Sequence, residues 1–299
     1  MEKVQILMST YNGEKFLEEQ LESLINQVGI KISILVRDDG STDSTTKILT
    51  KYQNRGLLTW YSGQNLKPAY SFFDLMKNAP LADYYAFCDQ DDVWENNKLI
   101  AAIQKLSMFD RQSPSLYFSK AQLYDEKLNI IEDASYPNDK FSFGTALIRN
   151  NATGCTMVFN DTLLKFVNQY NPPKHLLMHD HWVYLLCLAL GGNVVYDSNS
   201  LIKYRQHGGN ACGTNHGMIH RFRNSGFNDK GNIRYKIAVQ LYENYSNLIP
   251  KENKILLELV INYQKTVRNK IKLLTNRDIK VHSFVADIAL MINILASKL

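Results

Sequence analysis

Asp89, Gln90, Asp91 and Asp92 stand in a row behind an apolar run in the stretch AFCDQDDVWENNK. Three carboxylates this close repel one another, and each makes the next harder to ionise. A divalent cation relieves that repulsion. Mg2+ usually takes one or two protein carboxylates and completes its shell with water and phosphate oxygens. The triplet therefore suits a Mg2+ or Mn2+ ion shared with a phosphorylated ligand, with one Asp on the metal and another accepting from a ribose hydroxyl. Two more apolar runs end in polar residues, Ser9-Thr10-Tyr11-Asn12 and Asp38-Asp39-Gly40-Ser41. The chain has neither G-x-x-x-x-G-K-S/T nor G-x-G-x-x-G, so any phosphate must be held by metal and cationic side chains.

The elements that would position these residues alternate. Strands are expected at 4–10, 32–39, 57–63 and 83–89, with helices between and after them at 13–27, about 41–54, 69–79 and 97–109. Strand–helix alternation implies parallel strands with crossover helices. Ligands of such sheets bind beyond the carboxyl ends of the strands, where all three polar clusters fall. After residue 115 the rhythm changes. A hairpin (SLYFSKAQLYD, LNIIED), a strand at 154–160, a helix at 179–192 and two strands (NVVYDS, SLIKYRQHGGN) are expected. From about residue 232 the pattern is helical, with Ile233, Ile237, Leu241, Tyr245 and Leu248 in one stripe. This places a boundary near 215–232, between a domain of residues 1–215 and a helical region of 232–299.

At 299 residues and 45% apolar content the chain can bury a substantial core. Cys88, Cys155, Cys187 and Cys212 are scattered without metal-ligand spacing, which suggests reduced thiols and a cytoplasmic protein. The N-terminal apolar run is too short for a signal peptide, and no uninterrupted apolar stretch predicts a transmembrane helix. The net charge of +5 is uneven: residues 230–299 carry 12 Lys/Arg against 5 Asp/Glu, a net +7, which leaves −2 for the rest. Such a tail suits an anionic partner or is a solvated helical face.

Together, STYNGEKFLEEQLESLINQ, VRDDGSTDST and CDQDDVW resemble the inverting glycosyltransferases of family 2. TGCTMVFN, HDHW and YRQHGGN sharpen the likeness towards its bacterial rhamnosyltransferase-like branch. The resemblance covers roughly residues 3–212 and implies the α/β fold called GT-A: a Rossmann-like nucleotide-binding half with a mixed sheet, here followed by a C-terminal helical region.

The resemblance also implies roles. Thr10 and Tyr11 would line the base pocket, Asp39 would accept from N3 of uracil or thymine, and Asp38 would support that loop, although DDGS is also good turn chemistry. Asp89 would touch the ribose and Asp91 the metal, with Asp92 as a rival ligand and Trp94 packed beneath the donor. Asp180, at the start of a helix, would be the base that deprotonates the acceptor; a helix N-terminus holds a carboxylate ionised. His179 and His181 would contact the acceptor or position Asp180. Arg205 and His207 would stabilise charge on the leaving diphosphate, and His207 could complete the metal shell. Gly154 would lie under the sugar, where a glycine permits close approach, and Cys155 reads as a small buried residue.

The donor implied is a dTDP- or UDP-sugar, with dTDP-β-L-rhamnose as the specific expectation. The acceptor is a hydroxyl of a cell-surface glycan or a polyprenyl-linked precursor. Two other readings stay open. A nucleotidyltransferase or sugar-nucleotide pyrophosphorylase shares the nucleotide-binding half, but STYNGEKF is not its glycine-rich, lysine-bearing loop. A non-catalytic nucleotide- or carbohydrate-binding module would not need Asp89, Asp91 and Asp180. The basic tail fits attachment to the inner face of the cell membrane or a homo-oligomer contact. Nucleic acid is not expected, because the acidic cleft would repel a phosphate backbone.

Overall fold

A computed structural model describes residues 1–133, 141–208, 232–280 and 284–299. Cys212, the last residues of YRQHGGN and nearly all of the expected boundary at 215–232 lie outside the described residues.

The first half is four parallel strands: β1 (Lys3–Thr10), β2 (Lys31–Asp38), β3 (Thr59–Ser62) and β4 (Tyr84–Cys88). Helices α1 (Leu17–Ile25), α2 (Thr45–Asn54) and α3 (Lys67–Asn78) connect them, and β5 (Val93–Trp94) and α4 (Lys98–Leu106) follow. The strand order β3-β2-β1-β4 reverses direction beside β1, which opens a crevice at the carboxyl ends of β1 and β4. Alternation along β4 builds two cores. Tyr84, Ala86 and Cys88 face Leu17, Leu21, Leu49, Leu99 and Ile103, whereas Tyr85 and Phe87 face Phe72, Leu75 and Met76.

The second half makes the sheet mixed. β6 (Ser115–Tyr124), β7 (Ile130–Asp133), β8 (Val158–Asn160) and β9 (Asn193–Arg205) give the full order β3-β2-β1-β4-β8-β6-β9-β5, with β7 on β6 as the expected hairpin. Three local expectations are corrected. Residues 154–160 are a 3-10 turn at Gly154–Thr156 followed by the short β8, because the turn closes through a hydrogen bond from Met157 N–H to Gly154 O. The two strands expected in 193–210 are one strand, β9, which stays paired to β6 through two register shifts. Two helices were not anticipated, α5 (Phe143–Ile148) and α6 (Asp161–Asn168); both are short and start at side-chain caps, Ser142 for Thr145 N–H and Asn160 for Leu163 N–H.

Helix α7 (His179–Ala189) is apolar nearly all round, and it is buried accordingly. The C-terminal helices α8 (Ile233–Tyr245), α9 (Lys251–Asn262), α10 (Val267–Leu274) and α11 (Phe284–Leu295) follow; α8 reaches α7 through the Tyr245–Trp182 ring contact, and α9 through Asn253, which donates to Leu188 O and Ala189 O. Ile237, Leu241, Leu257, Leu273 and Ile294 join the same apolar core as Phe87 and Trp182, so these helices pack on the sheet domain. Among the described residues no helix is long and apolar enough to cross a membrane.

Candidate active site

Three strand ends converge, as the sequence suggested. Thr10 pairs with Asp38 in the β1–β2 register, and its hydroxyl donates to Asp38 Oδ1 at 3.1 Å. Asp38 is fully buried and also takes the N–H groups of Gly40 and Ser41 and the Ser41 hydroxyl. These bonds tie the Asp38 carboxylate to the turn that follows β2. Asp39 is also buried; Oδ1 meets the Arg37 guanidinium and Oδ2 accepts Leu66 N–H at 3.1 Å. The Tyr11 ring is about half exposed at the crevice mouth.

Gln90, which stands between Asp89 and Asp91, bridges the ends of β1 and β4. Tyr11 N–H donates to Gln90 Oε1 at 2.9 Å, and Gln90 Nε2 returns a bond to Tyr11 O at 3.1 Å. Two backbone groups at the point of strand reversal are thereby satisfied by one side chain, which fixes the loop carrying the carboxylates.

From there the chain enters β5, which pairs with β9 through Val93 with Lys203 and Trp94 with Ile202. This pairing carries Arg205 and His207 to the acidic loop. His207 Nε2 lies 2.7 Å from Asp91 Oδ2, and its ring packs on Phe16 with centroids 4.8 Å apart. Arg205 departs from its expected place at a diphosphate. Its guanidinium is buried; Nε donates to Asp91 O at 2.8 Å, and the other nitrogens reach Glu126 O and Glu19 Oε2. Its backbone N–H donates to Asp92 Oδ1 at 3.1 Å. The guanidinium therefore holds the acidic loop in place from behind.

Asp92 points inward. It is fully buried, and among the described residues Oδ2 has no hydrogen-bond partner. Burial and the charges of Asp91 and Asp89 push its carboxyl well above the usual range. Carboxylate oxygens of Asp89 and Asp92 and the Cys155 sulfur all lie within 4.8 Å of one another. The thiol is at best a weak donor to Oδ2. Behind them sits Lys98, fully buried, its Nζ unpartnered and 3.5 Å from the Trp94 ring centroid. Burial draws its ammonium down to about 8. Trp94 is thus a packing residue, as expected, with a cation against its face.

Cys155 belongs to the 3-10 turn, and its neighbour Gly154 touches the other functional group. Gly154 N–H donates to Asp180 Oδ2 at 3.0 Å, and Asp180 Oδ1 accepts His181 N–H at 2.6 Å. A Cβ on Gly154 would come within 3.1 Å of His179 Nε2 and 3.2 Å of Asp180 Cβ, so only glycine fits without displacement. Asp180 sits in the first turn of α7, partly exposed, with positive backbone ends around it. The flanking histidines do not reach outward as expected. His179 stacks on Phe72 with centroids 3.9 Å apart, and His181 Nε2 lies 2.8 Å from Ala146 O. Burial drives them down to about 3 and about 4, so both are neutral core residues.

Sequence reasoning missed Gln90, Phe16, Glu19, Glu126 and Lys98. Phe16 read as one more apolar helix residue, and only the fold shows it under His207. The donor set fits a hard divalent ion. Asp91 and His207 offer oxygen and imidazole ligands in contact with each other, and Asp92 Oδ2 is an orphaned buried acceptor beside Asp89.

Residues 5–160 match the family model described as glycosyl transferase family 2. The chain belongs to glycosyltransferase family 2. The transferase is 32% identical to the dTDP-rhamnosyl transferase RfbG of Shigella flexneri over 225 residues, which cover 70% of this chain and 74% of that protein. It is 25% identical to the UDP-Glc:alpha-D-GlcNAc-diphosphoundecaprenol beta-1,3-glucosyltransferase WfaP of Escherichia coli over 168 residues, 56% of this chain and 64% of that one. Among solved structures it resembles S. aureus TarS 1–349 in complex with UDP-GlcNAc, with a TM-score of 0.62 at 17% identity over 99% of this chain and 88% of that one. The mannosyltransferase PcManGT from Pyrobaculum calidifontis, in complex with GDP-Man and Mn2+, gives 0.54 at 16% identity over 99% and 76%. Likeness at this level of identity concerns the fold, which is GT-A.

Proposed function

We propose that the transferase moves L-rhamnose from dTDP-β-L-rhamnose to a hydroxyl of a cell-surface polysaccharide precursor, with inversion at the anomeric carbon. The observation that carries the site assignment is the turn Gly154–Thr156. Cys155 lies against Asp89 and Asp92 on one side, while Gly154 holds Asp180 on the other. One rigid turn thus spaces a metal and diphosphate end from a single carboxylate, as an in-line displacement requires. The likeness to RfbG supports the rhamnosyl donor.

In this reading Asp180 takes the proton from the acceptor hydroxyl as that oxygen attacks. Asp91 and His207 hold Mg2+ or Mn2+, with Asp92 as the inner carboxylate behind them. The ion, when bound, neutralises charge on the departing nucleoside diphosphate. Asp89 accepts from the ribose, Tyr11 packs on the base, and Asp39 faces the base edge once the Arg37 guanidinium shares it. Gly154 lies beneath the sugar. Arg205 contributes by fixing Asp91 and Asp92. The acceptor is a polyprenyl-linked glycan at the inner face of the cell membrane, approached from the cytoplasm, and the likeness to WfaP supports a lipid-linked acceptor.

The test is a screen of nucleotide-sugar hydrolysis by the purified protein with and without Mn2+. Faster release of dTDP from dTDP-rhamnose than of UDP from UDP-glucose or UDP-GlcNAc, or of GDP from GDP-mannose, is the expected result. Preference for another sugar nucleotide would overturn the rhamnosyl assignment.

A further inference from the structure

We propose that the outward face of α10 and α11 binds the surface of an anionic lipid bilayer. The inference deepens the membrane-acceptor reading above and rests on it for its purpose, but the surface stands on its own observations. α11 is apolar on two opposite sides. Leu290 and Ile294 point into the core, while Ile288, Met291, Ile292 and Leu295 form a row at i, i+3, i+4 and i+7 that faces solvent, each 38–57% exposed. A helix apolar all round belongs in a buried setting, and this one lacks a cover on its outer side among the described residues.

The neighbouring α10 also exposes apolar side chains and supplies charge. Val267 and Ile271, one turn apart, are exposed by 74% and 54%. Arg268 and Lys272 are exposed beside them, and Lys270 Nζ donates to Leu295 O at 3.0 Å, tying the basic helix to the end of the apolar row. Between residues 264 and 280 there are six Lys/Arg and one acidic residue, Asp278. Apolar side chains within a basic border match the acyl and headgroup layers of an anionic membrane. A second copy of this chain would bring the same cations together, which disfavours self-association through this face.

The patch is also linked to the catalytic helix. Asp278 O accepts from Ser142 Oγ at 3.2 Å at the start of α5, and the α5 carbonyl of Ala146 meets His181 in α7. A lipid-bound α10–α11 pair is thereby braced, through α5, against the helix that carries Asp180.

The experiment is vesicle co-sedimentation of the full chain with phosphatidylcholine alone and with phosphatidylcholine mixed with phosphatidylglycerol. Wild type is expected to bind the mixed vesicles, to release in high salt, and to leave neutral vesicles largely unbound. Arg268→Glu/Lys272→Glu should weaken binding by at least about tenfold through lost headgroup attraction, and Met291→Ser/Leu295→Ser by at least about tenfold through lost apolar burial. All four residues are outside the core, so unchanged melting temperatures should accompany the loss. Equal binding to both vesicle types, or none, overturns the proposal. So does a dimer in sedimentation velocity that Met291→Ser/Leu295→Ser dissolves. Hydrolysis of the nucleotide sugar in solution is measured on the same proteins and should not change. Vesicle binding without any hydrolysis by wild type would sink the transferase assignment and leave the surface standing.

Discussion

The backbone N–H of Gly154 and Oδ2 of Asp180 meet at 3.0 Å. This single bond orients the carboxylate that lies across the turn from the acidic loop. Oδ1 of the same carboxylate is held by His181 N–H, so both oxygens have fixed directions. If Asp180 is the general base, as proposed, a carboxylate that needs no search for its geometry loses little entropy on reaching the transition state.

Asp180→Asn keeps the shape and removes the basic lone pair. Transfer should fall by about 10²–10⁴-fold, the usual worth of a positioned general base. Binding of dTDP with Mn2+, read by thermal shift, should stay within twofold of wild type. Equal loss of nucleotide binding would remove Asp180 from the base role.

Gly154→Ala tests the turn itself. The added methyl would press on His179 and on Asp180 Cβ. The expected outcome is a drop of about tenfold or more in kcat with KM for the nucleotide sugar nearly unchanged, since about 1.4 kcal/mol of transition-state misalignment suffices. A rise in KM alone would place Gly154 in ground-state binding instead.

Asp91 and Asp92 should separate in a metal titration. Asp91→Ala removes the oxygen that contacts His207, and Mn2+-dependent stabilisation by dTDP should vanish. Asp92→Asn relieves a buried charge while retaining an oxygen for Arg205 N–H, so the metal-free protein should hold or gain stability. If Asp92→Asn abolishes the Mn2+ effect and Asp91→Ala does not, the metal assignment moves by one residue.

The parallel half of the fold was legible because burial on both faces forces continuous apolar strands, and helical periodicity separates them. The three polar strand ends followed directly. Less legible was everything set by contacts distant in sequence. HDHW signals a functional helix start, but its pattern does not tell which of its polar residues faces the cleft. The structure leaves Asp180 partly exposed and buries both histidines, His179 against Phe72 and Phe87 and His181 at Ala146 O. YRQH likewise reads as two cation-bearing groups near a phosphate, yet of the two side chains only His207 meets a carboxylate of the acidic loop. Arg205 is claimed by residues 19, 91 and 126, none of which its local sequence reveals. Asp38 was legible in both of its readings at once, as turn chemistry and as loop support.

Acid sensitivity should trace to the buried histidines. His179 and His181 bind protons near 6.5 when unfolded, but only near about 3 and about 4 when folded. Between these values the unfolded chain holds more protons, so folding stability is complete above pH 6.5 and falls as pH drops below it. Each histidine can cost up to about 1.4 kcal/mol per pH unit. His179→Phe preserves the stack on Phe72 and should shallow the fall in melting temperature between pH 6.5 and pH 4. An unaltered slope would show that His179 is protonated in the folded state.

Arg205→Met tests the brace behind the acidic loop. It leaves Asp91 O and Glu126 O without their donor, at a cost of about 2–4 kcal/mol in stability. Arg205→Lys should rescue little, because an ammonium cannot span the three directions that the guanidinium serves. Denaturant unfolding of both variants provides the check.

The same brace has a bearing on biosynthesis. Arg205 anchors a segment made far earlier, and its farthest partner is 186 positions upstream. While the polypeptide is still emerging from the ribosome, the early strands and the Gln90–Tyr11 bonds can form, but the loop with its three carboxylates lacks its Arg205 brace. In the proposed reading, sugar-nucleotide capture would wait until most of the message has been translated, and a prematurely terminated product would be spared from wasting activated sugar.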